Sequence, residues 1–313
     1  MVRFLMSKGY QISNLMEKKV VRHMTKREWL RQGVLCIIPA VRQIPKAKHA
    51  DNIFLIGQCS PVLFLIFNKL HFIHPKKIFW WAFQIHGERP LKIIGIFLKA
   101  LKADNIRLIT VSDYEKEIYK DFFPENQILS VPYGDWENYG FEPKSDTKDY
   151  YFCGGSTNRD FKSLIENWGK ENLVIVGSRI NSDLTEAAEK NEKENIKIFF
   201  DVKPEEFDRL MRNAKAVILP FKNDTGASGQ TVALKAMRMH KLMISQDIKA
   251  MREYVNSRTG FLIRDMSTVS HVVGLIDKLP TEDYLKRQDE LFTAKFSYGA
   301  VTEKLQKELN RKE

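Results

Sequence analysis

Two stretches of the chain combine the residue types that hold phosphate. Gly154-Gly155-Ser156-Thr157-Asn158-Arg159-Asp160 places two glycines, two hydroxyls and an arginine between an apolar run and a helix-like one. Glycines let the backbone close on an anion, free N–H groups at a helix start point towards it, and Arg159 can fork onto its oxygens. Pro220-Phe221-Lys222-Asn223-Asp224-Thr225-Gly226-Ala227-Ser228-Gly229-Gln230-Thr231 repeats that composition in the same kind of position. A shorter loop, Val176-Gly177-Ser178-Arg179, reads equally well as a weaker cradle or a plain turn. Neither long loop has the Gly-x-Gly-x-x-Gly dinucleotide spacing or the Gly-x-x-x-x-Gly-Lys-Ser/Thr P-loop, so hydride transfer and ATP hydrolysis lose their usual support. No carboxylate pair suited to glycoside hydrolysis stands out. Asp135 and Glu137 are two apart in a polar stretch and read as solvated charge. No Asp-x-Asp stands out. Cys36, Cys59 and Cys153 are odd in number and widely spaced, which suggests buried thiols rather than a zinc site or a disulfide framework.

The loops need strands before them and helices after them, and the apolar pattern supplies both. In the second half, Tyr150–Cys153, Leu173–Val176, Ile196–Phe199, Ala216–Leu219 and Lys241–Ser245 read as buried strands. Residues Asp160–Trp168, Leu184–Lys193, Pro204–Asn213 and Gly229–Met239 read as the helices between them. In the first half the expected strands are Val34–Ile38, Ile53–Ile56, Ile78–Ile85 and Arg107–Val111, and the helices are Thr25–Arg31, Pro61–Phe72, Leu91–Leu101 and Asp113–Phe122. This rhythm predicts an α/β chain of two doubly wound, Rossmann-like domains facing a central cleft. Ligands of such sheets sit beyond the carboxyl ends of the strands. The stretch from Gly134 to Asp149, with Gly140 and Pro143 among polar residues, is the expected linker. The domains are placed at 1–137 and 138–290, with a helix at 291–313 packing back towards the first domain.

The 313 residues are 43% hydrophobic, enough for two cores, and carry a formal charge of +11. Residues 1–110 hold 19 basic and 5 acidic residues, about +14, which leaves about −3 for the rest. A basic half can meet nucleic acid, an anionic membrane or a phosphorylated substrate. No helix-turn-helix, zinc or RNA-recognition signature accompanies the charge, so nucleic acid is not expected as a partner. From Leu91 to Lys102 the lysines flank an apolar face, as in an interfacial membrane helix; a core helix with snorkelling lysines has the same pattern. The apolar run Ile53–Asn68 is broken by Gly57, Gln58 and Pro61 and is too short to span a bilayer. Met1–Tyr10 lacks the features of a secretory signal, so a cytoplasmic protein, peripheral on the inner membrane face, is expected.

In their order and spacing, Tyr151–Phe161, Leu173–Gly177, Val217–Phe221 and Ser228–Met237 resemble the donor-binding domain of the GT-B glycosyltransferases of family 4, also called group 1. Val111-Ser112-Asp113-Tyr114-Glu115-Lys116-Glu117 and Val131-Pro132-Tyr133-Gly134 are similar to segments that close that family's first domain. The resemblance runs from about residue 105 to about residue 300 and is weak before that. It implies retaining transfer of a sugar, with the donor nucleotide on the second domain and a lipid-linked or cell-surface glycan acceptor on the first. No cofactor and no divalent metal is implied. Arg159 falls where the family places a basic residue on the donor diphosphate, and His86 where it often has a histidine facing the donor sugar. The donor site expected on these grounds is Gly154, Gly155, Ser156, Asn158, Arg159, Gly177, Ser228, Gly229, Gln230, Thr231 and Lys235. The family commonly shows two glutamates eight positions apart, the second holding the ribose; here those positions are Ala227 and Lys235. That departure keeps a catalytically silent binding subunit open as an alternative, and a sugar-nucleotide epimerase of the same architecture is another.

Overall fold

The computed structural model describes residues 37–56, 60–81, 88–101, 104–143, 147–156, 158–224, 228–276 and 278–310. The chain divides into two units, Met1–Pro132 with Leu305–Glu313, and Tyr133–Lys304.

The first unit contains a parallel sheet in the order β1 (Asn52–Ile56), β2 (Lys77–Trp81), β3 (Ile106–Thr110) and β4 (Ile128–Ser130). The helices α1 (Ile37–Ala47), α2 (Ser60–Lys69), α3 (Glu88–Ala100) and α4 (Asp113–Lys120) precede or connect the strands. Buried on both faces, β2 is apolar after Lys77: Ile78, Phe79, Trp80 and Trp81 are all enclosed. Ile53, Leu55, Ile78, Trp80, Ile106 and Leu108 pack with Phe64 and Leu65 of α2 and Leu91 and Leu98 of α3 into one core.

The first expected strand is corrected. Ile37 and Ile38, the described end of Val34–Ile38, open helix α1. The apolar residues Ile37, Val41 and Ile44 recur with the helical period, and Pro39 falls in the first turn, where its missing N–H costs nothing. The expected helix Thr25–Arg31 lies outside the described residues, as do positions 82–85 of the strand expected at Ile78–Ile85. Strand β4 went unanticipated because three residues at a sheet edge carry no period.

The second unit is built on six parallel strands: β5 (Tyr151–Gly154), β6 (Leu173–Gly177), β7 (Ile196–Phe200), β8 (Ala216–Leu219), β9 (Leu242–Gln246) and β10 (Phe261–Ile263). Their order across the sheet is β10-β9-β8-β5-β6-β7. The chain runs outward from β5 to β7, returns to β8 beside β5, and runs outward the other way. The direction therefore reverses between β5 and β8, where open α/β sheets bind ligands. The connecting helices are α5 (Phe161–Asn167), α6 (Ser182–Glu189), α7 (Pro204–Arg212) and α8 (Gln230–Arg238). Helices α9 (Val269–Ile276), α10 (Glu282–Leu291) and α11 (Tyr298–Leu309) follow. Among the described residues no helix is long and apolar enough to cross a membrane.

Residues 133–143 form no helix or strand, yet they are not loose chain. Asp135, read from the sequence as solvated, is only 6% exposed. Its carboxylate accepts the N–H groups of Tyr139 (3.1 Å) and Gly140 (2.7 Å), and its own N–H donates to Phe296 O at 2.7 Å. Farther on, Arg212 Nε donates to Glu142 at 2.8 Å and Arg238 Nε to Gly140 O at 2.8 Å. A buried carboxylate facing backbone N–H groups fixes a turn as firmly as a ladder would. Glu137 is exposed, as expected.

Candidate functional site

Strand β5 ends at Gly154, and its following loop turns back on itself. Gly155 has φ +122, and a Cβ there would lie 3.1 Å from Arg159 Nε. Only glycine meets both conditions. Asn158 adopts φ +54, a left-handed conformation that Asn tolerates well. Asp160 then caps α5, accepting from Ser163 N at 3.1 Å.

This loop is bonded to the one after β8. Asn158 Nδ2 donates to Asn223 O at 2.8 Å, and Lys222 N donates to Asn158 O at 3.3 Å. Between them lies Arg159, 2% exposed. Its Nε donates to Gly154 O at 3.0 Å, and its guanidinium carbon sits 4.6 Å from the centre of the Phe221 ring. Burial pulls the guanidinium down to about 10, a shift opposed by Cys153, so it remains cationic at neutral pH. Burial likewise pushes the Cys153 thiol up to about 12, against the pull of Arg159. Arg159 Nη1 is buried and has no hydrogen-bond partner among the described residues.

The loop after β8 ends at Gly229, which precedes α8 with φ +85. A Cβ on Gly229 would approach Phe221 Cζ to 2.6 Å and Met251 Sδ to 3.0 Å. Phe221 thus separates and orients both halves of the site, and its N–H is held by Gln246 Oε1 at 2.9 Å. Ser228 and Gln230 are buried and Thr231 is exposed. Gln230 is 5% exposed, and its Nε2 also lacks a hydrogen-bond partner among the described residues. Two loops at the β5–β8 reversal therefore bring together a buried cation and a buried amide, each with an unused N–H, beside the N-terminal end of α8. Such donors, with the positive end of a helix, attract an anion.

The other expected residues are placed differently. Ser156 is exposed on the first loop. Gly154 and Gly177 are glycines for packing: a Cβ would meet Phe207 Cζ at 2.6 Å and Leu184 Cδ2 at 2.2 Å respectively. Ser178 Oγ and Arg179 N both donate to Asp201, at 2.7 and 3.2 Å, which ties the third loop down as a turn and holds the Asp201 carboxyl below its ordinary range. Lys235 Nζ pairs with Asp208 of α7 and lies 5.4 Å from the Phe207 ring centre. His86 lies outside the described residues, as do Thr157 and positions 225–227. Phe221, Asp208 and Gln246 were missed by sequence reasoning. An aromatic directly after a strand and inside a Gly/Ser-rich loop was the available signal for Phe221; the other two had none.

Residues 158–278, all within the second unit, match the family model described as Glycosyl transferases group 1. No curated protein sequence matches the chain. Among solved structures, Anabaena Alr3699/HepE in complex with UDP and glucose is similar at TM-score 0.68 and 11% identity, covering 87% of this chain and 81% of that one. A glycosyltransferase from Rickettsia africae is similar at 0.67 and 14%, covering 99% and 88%. The sucrose-phosphate synthase of Thermosynechococcus elongatus is similar at 0.69 and 13%, covering 93% and 80%. At these identities the likeness establishes the fold, and the family model speaks for the second unit. The chain has the two-unit fold of the GT-B glycosyltransferases, and within its second unit residues 158–278 match the group 1 glycosyl transferases.

Proposed function

We propose that this chain transfers a sugar, with retention of anomeric configuration, from a nucleotide-sugar donor to a lipid-linked or cell-surface glycan. The observation that carries the reading is the pair of unused buried donors, Arg159 Nη1 and Gln230 Nε2, on loops joined through Asn158 and Phe221. A desolvated donor without a partner costs on the order of 1–3 kcal/mol, and an arriving phosphate oxygen would recover it. When the sugar–phosphate bond breaks, negative charge grows on the departing diphosphate. Arg159, Gln230 and the α8 N-terminus are fixed in advance to receive it, which lowers the barrier without reorganisation. His86 is assigned to the donor sugar. The chemistry proposed needs no metal, so transfer should persist in a chelator. A uridine donor is the first to try, because the Anabaena relative was solved with UDP. On this reading the basic first unit serves the acceptor at the cytoplasmic face of a membrane.

A thermal-shift screen of the wild type against UDP, GDP and their sugar conjugates tests the donor site, because a ligand held only by the folded chain raises its melting temperature. One nucleotide sugar should stabilise the wild type, and Arg159→Ala and Gln230→Ala should each abolish the effect. Gln230→Ala guards against an Arg159 variant that does not fold. Proton NMR of the product then reads the anomeric configuration.

A second reading has its own observation. Lys235, at the position of the usual ribose-binding glutamate, is engaged by Asp208. A binding subunit without catalysis would tolerate that exchange. A folded wild type that no nucleotide stabilises would favour it.

A further inference from the structure

Helix α3 has two apolar faces, and only one of them is used. At 3.6 residues per turn, Leu91, Gly95 and Leu98 fall on one side. Leu91 and Leu98 are buried in the core of the first unit, and Gly95 is pressed so closely that a Cβ would lie 2.8 Å from Phe122 O. Ile93 and Ile96 fall on the opposite side, 66% and 60% exposed, with exposed Ala100 beside them. Lys92 and Lys99, both exposed, lie together along one edge of this outer stripe. The exposed residues Leu70 and Phe72 stand in the turn that leads from α2 into β2. In a parallel sheet that turn lies at the same edge as the C-terminal end of α3.

We infer that the outer face of α3 is a docking surface for an anionic lipid bilayer, lying in the headgroup plane with Ile93 and Ile96 turned into the acyl boundary and Lys92 and Lys99 against the headgroups. Charge complementarity selects this occupant. From Leu91 to Ala100 the helix carries two lysines and no acidic residue, and residues 1–110 carry 19 basic against 5 acidic side chains. A second copy of the chain seated on the same face would bring Lys92 and Lys99 of both copies together. The 13 residues of α3 reach roughly 20 Å, too short to span a hydrocarbon core of about 30 Å but suited to lying on it. Lysine stems can cover the apolar boundary while their charges stay in water. This surface deepens the acceptor side of the proposed function, because a lipid-linked acceptor presents its glycan from such a plane.

The test is sedimentation of the full chain with vesicles of phosphatidylcholine alone and of phosphatidylcholine mixed with phosphatidylglycerol, at low and high salt. It reads binding and not transfer, so it can fail while glycosyl transfer stands, and the reverse. The wild type should sediment with the anionic vesicles and be released by salt. The double variant Ile93→Ser/Ile96→Ser should lose at least about tenfold in partitioning, since each isoleucine buried is worth more than 1 kcal/mol. Lys92→Gln and Lys99→Gln should each lose about fivefold. All four positions are exposed, so unchanged melting temperatures will certify folding. Failure of the wild type to sediment overturns the inference, as does equal sedimentation with neutral vesicles. So does full binding by the double isoleucine variant, which would place the contact elsewhere on the basic unit. A change in sedimentation velocity of that variant without lipid would show that a second copy covers the face, and would overturn it too.

Discussion

The guanidinium of Arg159 lies over the ring of Phe221, 4.6 Å from its centre, and the same ring bars any side chain at Gly229. One aromatic residue thus sets the position of the buried cation and the start of α8. Among the described residues the cation has no carboxylate partner, which leaves its charge for a ligand. Five expectations follow from this and other contacts.

Phe221→Ala removes a fully buried ring and the support under Arg159. Urea unfolding should show a loss of about 3–5 kcal/mol, the usual range for emptying a buried aromatic site. Phe221→Leu should keep most of the stability but lose the cation–ring contact. Any nucleotide-induced thermal shift should therefore shrink more than the stability does.

Gly229→Ala should destabilise the fold by about 1–3 kcal/mol, because φ +85 is strained for alanine and the new methyl meets Phe221. Gly274→Ala is the matched control. Gly274 lies in α9 with open space where its Cβ would go, so the change should stabilise by about 0.5–1 kcal/mol. Chemical denaturation of the two variants side by side should give opposite signs.

Lys235 and Asp208 are each about a quarter to a third exposed, so their pairing should be modest. A double-mutant cycle with Lys235→Gln and Asp208→Asn should return a coupling of about 0.5–1 kcal/mol in the ligand-free protein. A nucleotide-induced shift changed by Lys235→Gln and not by Asp208→Asn would show that the lysine leaves its partner for the ligand.

Cys153 should resist alkylation at pH 8.5 in the native protein and react on unfolding, since burial raises its thiol to about 12. Linkage gives the sign of its effect on stability. The unfolded thiol loses its proton near 9 while the folded one keeps it. The stability it contributes is therefore complete below about pH 9 and is lost as pH rises through 12, with a slope approaching about 1.4 kcal/mol per pH unit. Arg159 works the other way above about pH 10, where the unfolded guanidinium holds a proton that the folded one releases. Between pH 9 and 10 the thiol dominates, and Cys153→Ala should flatten the fall seen by urea titration.

Asp135→Ala leaves the N–H groups of Tyr139 and Gly140 without their acceptor. A cost of about 1–3 kcal/mol is expected, together with proteolytic cleavage within residues 136–143 that the wild type resists.

The alternation of strand and helix, the parallel sheets and the phosphate-holding composition of two loops were legible in the residues, because period, β-branching and glycine placement act locally. The expected strands and helices of the second unit stand within a few residues of those observed. The exceptions were β4 and β10, with three residues each at sheet edges, the helices α9 and α10, which were not anticipated, and Ile37–Ile38, whose apolar pair fits a strand or the first turn of a helix equally well. The loops beyond β5 and β8 were visible as candidates; the bonds between them were not. Nothing in the order of residues sets Arg159 over Phe221, Lys235 beside Asp208, or Asp135 beneath the N–H groups it caps. Those pairings depend on which strands become neighbours, and the return of the chain to place β8 beside β5 is a packing decision made across the whole sheet. Sequence by itself determined which loops could bind an anion. Tertiary structure decided that Arg159 and Gln230 would be buried there with unused donors, because only the closed core removes water from them.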